Sequence, residues 1–153
     1  MNFLVHLIVT LITATILKLN LFNFWLALGF GLLVDLDHVV PYIKTYLKEK
    51  KIDQRGYPKR WYTQEPIFFV ILIPLSVILG TAVPVLFYGL HLLLDYIMDY
   101  EKYPLFPNKK LKVYGFVKTF GWAYWLITLF SLVAAIIFFS SYENMTYLLS
   151  ILR

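Results

Sequence analysis

The apolar run from residue 67 to residue 98 constrains this chain most, because it is too long to be a single membrane-crossing helix. As one helix it would extend about 48 Å at 1.5 Å per residue, against about 30 Å for the hydrocarbon core of a bilayer. It must therefore fold back on itself, and Gly80 to Pro84 offers the turn. Gly and Pro close together punctuate helices, and Pro disfavours helical geometry in the residue before it. Three further apolar runs, at 3–17, 21–34 and 120–139, accompany it. Composition agrees: 60% of the 153 residues are hydrophobic and only 15% are charged, where a soluble domain carries about a quarter. A soluble enzyme does not fit these numbers. The net charge of +5 does not imply nucleic acid, since that footprint needs a basic patch on a foldable soluble domain.

The expected fold is an all-α integral membrane protein, a single domain over residues 1–153. Its bundle has about five transmembrane helices, two antiparallel hairpins plus a C-terminal span, near 3–19, 22–40, 66–80, 83–99 and 119–140. A four-span variant, in which the first hairpin dips into one leaflet, leaves the loops where they are. Twelve of the 14 basic residues lie in two loops, seven in 44–60 and five in 101–118. The positive-inside rule makes both loops cytoplasmic. The N-terminus is then also cytoplasmic, and residues 140–153 form a short external tail. This implies a multi-pass protein of the plasma or inner membrane. No Lys or Arg precedes the first apolar run, which argues for a retained membrane segment over a cleaved signal. Trp25, Trp61, Tyr62, Trp122, Tyr124 and Trp125 sit where interfacial anchors are expected.

Cysteine is absent, which removes disulfides, thiolate metal sites and thiol nucleophiles. What remains is imidazole and oxygen chemistry, and its distribution is informative. His6, His38 and His91 all lie in or at the edge of apolar runs, accompanied by Asp35, Asp37 and Asp95. An Asp at mid-membrane costs about 3 kcal/mol on insertion scales, so these carboxylates require compensation. The topology supplies it by bringing His6, Asp35 to His38, Gln64-Glu65, and His91 with Asp95 to one depth at the inner leaflet. His91 and Asp95 at i, i+4 share a helix face, as do Asp35 and His38 at i, i+3. Asp37 would point away on an ideal helix, and Pro41 just beyond it favours unwinding that turns it inward. Imidazole and carboxylate donors without sulfur suit zinc first, with manganese or iron as alternatives, and one or two ions.

The segments Gly31-Leu-Leu-Val-Asp35-Leu-Asp37-His38 and Tyr88-Gly-Leu-His91-Leu-Leu-Leu-Asp95 resemble those of the YdjM-like family of membrane-bound metal-dependent hydrolases. The resemblance covers most of the chain, with His6 as the family's early histidine and Pro104-Leu-Phe-Pro107 as its closing loop. It implies His6, Asp35, Asp37, His38, His91 and Asp95 as metal ligands. A wider analogy, to zinc-dependent phospholipase C, rests on similar His and Asp pairs. One departure stands out: after Arg60 the family usually presents a histidine, and this chain has Gln64 followed by Glu65.

Two functions follow. In the first, a metal-activated water at the inner leaflet hydrolyses a phosphoester or lipid-like, amphiphilic substrate, with Asp37 and Glu65 as candidate catalytic groups and Arg60 steadying a phosphate. Membrane lipids are the expected partners, and the twelve flanking cationic residues favour anionic headgroups. In the second, the same cluster is a structural metal or polar clamp within a non-catalytic scaffold. Asp99 and Glu101 read as solvated loop acids. Ion transport ranks last, since a single cluster at one interface lacks the midplane site and paired broken helices of transporters.

Overall fold

The computed structural model describes residues 3–35, 65–99, 102–105, 108, 110–118 and 121–152. These form six α-helices and two short 3-10 turns, with no strand among them. Helix α1 (Phe3–Ile16) and helix α2 (Leu21–Gly31) make a hairpin. Its turn is tight: Lys18 takes a left-handed φ of 46°, and the Asn20 side chain caps α2 by accepting the Asn23 N–H at 2.9 Å. A 3-10 turn, Leu33–Asp35, continues α2 and carries Asp35.

A second 3-10 turn, Pro66–Phe68, leads into helix α3 (Phe69–Leu79). Pro66 suits that first position because its missing N–H would have had no helical partner there. The long apolar run breaks at Gly80, whose φ of 64° lies in the left-handed region that favours glycine. Helix α4 (Val83–Ile97) then returns and packs against α1, α2 and α3. Its buried residues are Val83, Pro84, Phe87, Tyr88, His91, Leu92 and Asp95, one stripe at helical spacing. The stripe is apolar at its beginning and polar at its end.

That division extends to the neighbouring helices. Ala14, Phe24, Ala27, Val83 and Phe87 form a dry core at one end of α1, α2 and α4, and His6, His91 and Asp95 lie buried toward the other. Gly31 allows the close approach between these helices. A Cβ there would meet Thr10 Oγ1 at 2.5 Å and Phe87 at 3.4 Å.

Beyond α4 the chain returns in an extended segment around the helix's C-terminal end. Lys102 and Val113 exchange backbone hydrogen bonds of 3.0 Å in both directions, and the Ile97 carbonyl accepts the N–H groups of Phe116 and Val117 at 3.0 Å. Met98, Val117 and Tyr124 form a small core there. Tyr124 is thus a packing residue and not the interfacial anchor expected of it, whereas Trp25, Trp122 and Trp125 are exposed at 59%, 79% and 55%. Trp61 and Tyr62 lie outside the described residues.

Helix α5 (Trp122–Phe139) packs on α1 and is otherwise little covered by protein. With 18 predominantly apolar residues it is long enough to cross a membrane, and it alone among the described helices has that length and composition. The expected five spans therefore reduce to one helix of sufficient length. The other four apolar segments, Phe3–Ile16, Leu21–Asp35, Pro66–Leu79 and Val83–Ile97, are shorter, because turns claim their ends: the Lys18 turn, the 3-10 starts and stops, and Met98 in extended geometry. Residues 140–153, expected as a short tail, contain helix α6 (Tyr142–Leu152). It folds back so that Leu148 and Ile151 pack on the dry core, while the Tyr147 hydroxyl donates to the Leu19 carbonyl in the α1–α2 turn.

Candidate metal centre

His6 on α1, Asp35 on the turn after α2, and His91 with Asp95 on α4 meet at the polar end of the bundle. His6 Nε2 lies 3.2 Å from Asp95 Oδ1 and 3.9 Å from Asp35 Oδ2. His91 Nε2 lies 3.4 Å from Asp35 Oδ1 and 3.7 Å from Asp95 Oδ2. The two imidazoles stack, with ring centres 4.2 Å apart. Each histidine therefore faces both carboxylates, and each carboxylate faces both histidines.

The site is closed on most sides. Both imidazole side chains are wholly buried and the Asp95 side chain is 2% exposed, whereas that of Asp35 is 19% exposed. Asp95 is the floor of the cluster and Asp35 its rim. A 3-10 turn at the end of a short helix suits a rim residue, since the chain there leaves the helix axis and can lay a carboxylate across the mouth of the bundle.

The tautomer of His91 follows from the backbone. Its Nδ1 is 3.1 Å from the Gly31 carbonyl oxygen, which can only accept, so Nδ1 carries a proton and Nε2 is the nitrogen turned to the cluster. That nitrogen is buried and makes no hydrogen bond. Facing two carboxylates, it calls for a positive charge there, supplied by a second ring proton or by a metal ion. A backbone carbonyl on the far ring nitrogen is the usual support of a metal-bound histidine. His6 differs: Nε2 is within hydrogen-bond distance of Asp95 and Nδ1 is buried without a partner. To ligate through Nε2, His6 has to lose that proton.

His6, Asp35 and His91 each offer a ligand atom, and these lie within 4.8 Å of one another. Donors at about 2.1 Å around a tetrahedral ion lie about 3.4 Å apart, so closing on an ion asks for side-chain movements of up to about an ångström. The residues fit a divalent metal in donor type, burial and spacing: this buried group could hold a metal ion.

Of the other expected site residues, Asp37, His38 and Arg60 lie outside the described residues, as do Gln64 and Glu101. Asp99 is exposed. Glu65 belongs to a different cluster. It is 3% exposed, its Oε1 accepts the Tyr103 N–H at 3.0 Å, and its Oε2 accepts the Tyr96 hydroxyl at 3.4 Å. Its backbone carbonyl accepts the Tyr88 hydroxyl at 2.8 Å. Lys102, fully buried, donates to the Met98 carbonyl and lies 5.5 Å from the Tyr96 ring centre. Glu65 thus ties the start of the α3 segment to α4 and to the returning chain. Its carboxylate is not among the grouped ligand atoms; its hydrogen bonds run to Tyr96 and Tyr103.

Two contributions were absent from the sequence reading. The Gly31 carbonyl has no side-chain signal at all, though a glycine four residues before Asp35 on a packed helix hints at close approach. The tyrosines that hold Glu65 could have been suspected from their spacing on α4, where Tyr88 and Tyr96 stand on either side of His91.

No protein-family model, curated protein or solved structure matches this chain. Its chemistry has to be argued from the cluster itself.

Proposed function

We propose that this chain is a membrane-embedded, metal-dependent hydrolase of the kind the YdjM-like resemblance implies, acting on a phosphoester or lipid-like substrate at the inner-leaflet interface. One observation supports this above the others: Nε2 of His91, turned inward by the hydrogen bond of Nδ1 to the Gly31 carbonyl, faces Asp35 and Asp95 without a hydrogen bond of its own. In this reading His91, His6 and Asp35 hold the ion, zinc before manganese or iron, and Asp95 closes the floor. Asp37 and His38 complete the set as further ligands.

A bound divalent ion would polarise a phosphoryl or carbonyl oxygen and lower the pKa of a coordinated water towards neutrality. The protein's own groups do the rest. Gly31 holds the Nδ1 proton of His91, Asp95 steadies the His6 ring through Nε2–H until an ion displaces that proton, and Asp35 at the rim is the carboxylate placed to meet an entering substrate. In this reading the rim lies at headgroup depth on the cytoplasmic side of a multi-pass protein, the side to which the basic loops belong. Arg60 in one of those loops is the candidate for steadying a phosphate.

The depth of burial favours a second reading, a structural metal that locks α1, α2 and α4 together in a scaffold, since structural sites are closed and catalytic ones keep an open position. Metal analysis of the detergent-purified protein, beside His91→Ala and Asp35→Ala, separates these readings from a metal-free protein. Bound divalent ion in the wild type and its loss in both variants is expected. A wild type that holds no divalent ion under non-chelating conditions defeats both metal readings. A panel of phosphomonoesters, phosphodiesters and phospholipids then distinguishes enzyme from scaffold, the enzyme showing turnover that Asp35→Ala abolishes.

A further inference from the structure

We propose that the extended segment 110–118 is a contact surface for anionic lipid headgroups, held in place by the end of α4. The backbone here is pinned. Gly115 N–H donates to the Met98 carbonyl at 3.1 Å, and a Cβ on Gly115 would stand 2.3 Å from the Ile97 oxygen. Side chains alternate along such a segment: Val117 turns inward at 2% exposure, whereas Tyr114 and Phe116 face outward at 56% and 83%. Leu111 is 46% exposed, and Lys110, Lys112 and Lys118 are exposed beside these residues.

The charge pattern identifies the occupant. From Lys102 to Tyr142 the sequence contains no Asp or Glu; the exposed Asp99 donates its N–H to the Val117 carbonyl at 2.8 Å, and against it stand Lys110, Lys112 and Lys118, so the segment carries a net positive charge complementary to an anionic surface. Its position limits the partner further. Helix α5 begins at Trp122, four residues after Lys118, a reach of at most about 14 Å. On the reading that α5 crosses the bilayer, segment 110–118 therefore lies at headgroup depth. There Phe116 and Tyr114 enter the upper acyl region, and the lysines meet phosphate groups.

The chain has no cysteine, so single-cysteine reporters are clean. Phe116→Cys, Tyr114→Cys and Ile136→Cys, the last on an exposed face of α5, would each carry an environment-sensitive fluorophore. The whole protein is reconstituted in vesicles of phosphatidylcholine alone or with about one third phosphatidylglycerol. We expect the reporters at 114 and 116 to be shielded severalfold from acrylamide, a neutral quencher that the surface potential does not repel, in the anionic vesicles. Replacing Lys110, Lys112 and Lys118 together by Gln, or raising salt until the Debye length falls to about 3 Å, should remove that shielding. The Ile136→Cys reporter should be quenched by brominated lipid in both vesicle types. Reporters at 114 and 116 equally open to acrylamide in both, with the 136 reporter in lipid, overturn the surface and leave the membrane reading intact. Shielding that is equal in both lipids and indifferent to the lysine replacements overturns the anionic preference. A 136 reporter that lipid does not quench overturns the surface together with the spanning helix on which it rests.

Discussion

The two ends of the α1–α2–α4 bundle are built on the same helices, yet they differ in what they bury. At one end Ala14, Phe24, Ala27, Val83 and Phe87 pack without a polar atom among their side chains. At the other, one inward stripe on α4 continues from Phe87 to His91 and Asp95, and the core becomes two imidazoles and two carboxylates. The dry end is stabilised by area and shape, which tolerate conservative exchange. The polar end depends on pairing, so loss of one member exposes the others to an uncompensated burial cost. A helix whose inward stripe is apolar for about its first two turns and ionisable over its last two does something at that end that packing alone does not require.

Asp95→Ala should break this comparison most severely. It removes the partner of His6 at 3.2 Å, and breaking a buried pair costs about 3–5 kcal/mol. Thermal unfolding should show the loss, and metal analysis should show the ion gone as well. Phe87→Ala at the dry end should destabilise by about 3 kcal/mol through cavity formation, while the folded fraction keeps its metal. If Phe87→Ala releases the ion as readily as Asp95→Ala, the two ends are one cooperative unit and the contrast fails.

Gly31→Ala sits on the boundary and sharpens the comparison. Its Cβ collides with Thr10 Oγ1, an overpacking worth about 1–3 kcal/mol. The displaced carbonyl should also weaken metal binding by about 10-fold to 100-fold, as other losses of histidine support do. A calorimetric titration that shows destabilisation with unchanged metal affinity would remove Gly31 from the site. The smallest effect is expected from Glu65→Gln. It weakens the bonds to Tyr96 and Tyr103 at about 1–2 kcal/mol, with metal content unchanged. Loss of the ion in that variant would return Glu65 to the metal centre and merge two clusters that the structure keeps apart.

How much was legible in the sequence depends on the kind of group. His6, Asp35, His91 and Asp95 stood out because each is an ionisable residue in an apolar run, and antiparallel helices with short turns carry such residues to one level whatever the details of packing. Helix lengths were less legible. The hydropathy of residues 3–17 or 67–79 gives no notice that Lys18 adopts a left-handed turn or that Pro66 starts a 3-10 turn, so the runs read longer than the helices they contain. Helix α6 was read as tail because its apolar residues, Leu148 and Ile151 among them, are interspersed with Asn, Glu, Thr and Ser. Glu65 was legible as a carboxylate beside the expected site, but its partners were not: only the tertiary structure brings Tyr96 and Tyr103 to it.

By itself, then, the sequence determined that this is an apolar, helical chain whose few acids and histidines had to find one another, because burial leaves isolated charges no stable alternative. The tertiary structure decided which atoms meet. The Gly31 carbonyl orients His91, Asp95 lies beneath and Asp35 at the rim, and Glu65 serves a separate clasp. Those outcomes depend on backbone groups and on contacts between residues tens of positions apart, which carry no mark in residue type and arise only when helices approach to within a hydrogen bond of each other.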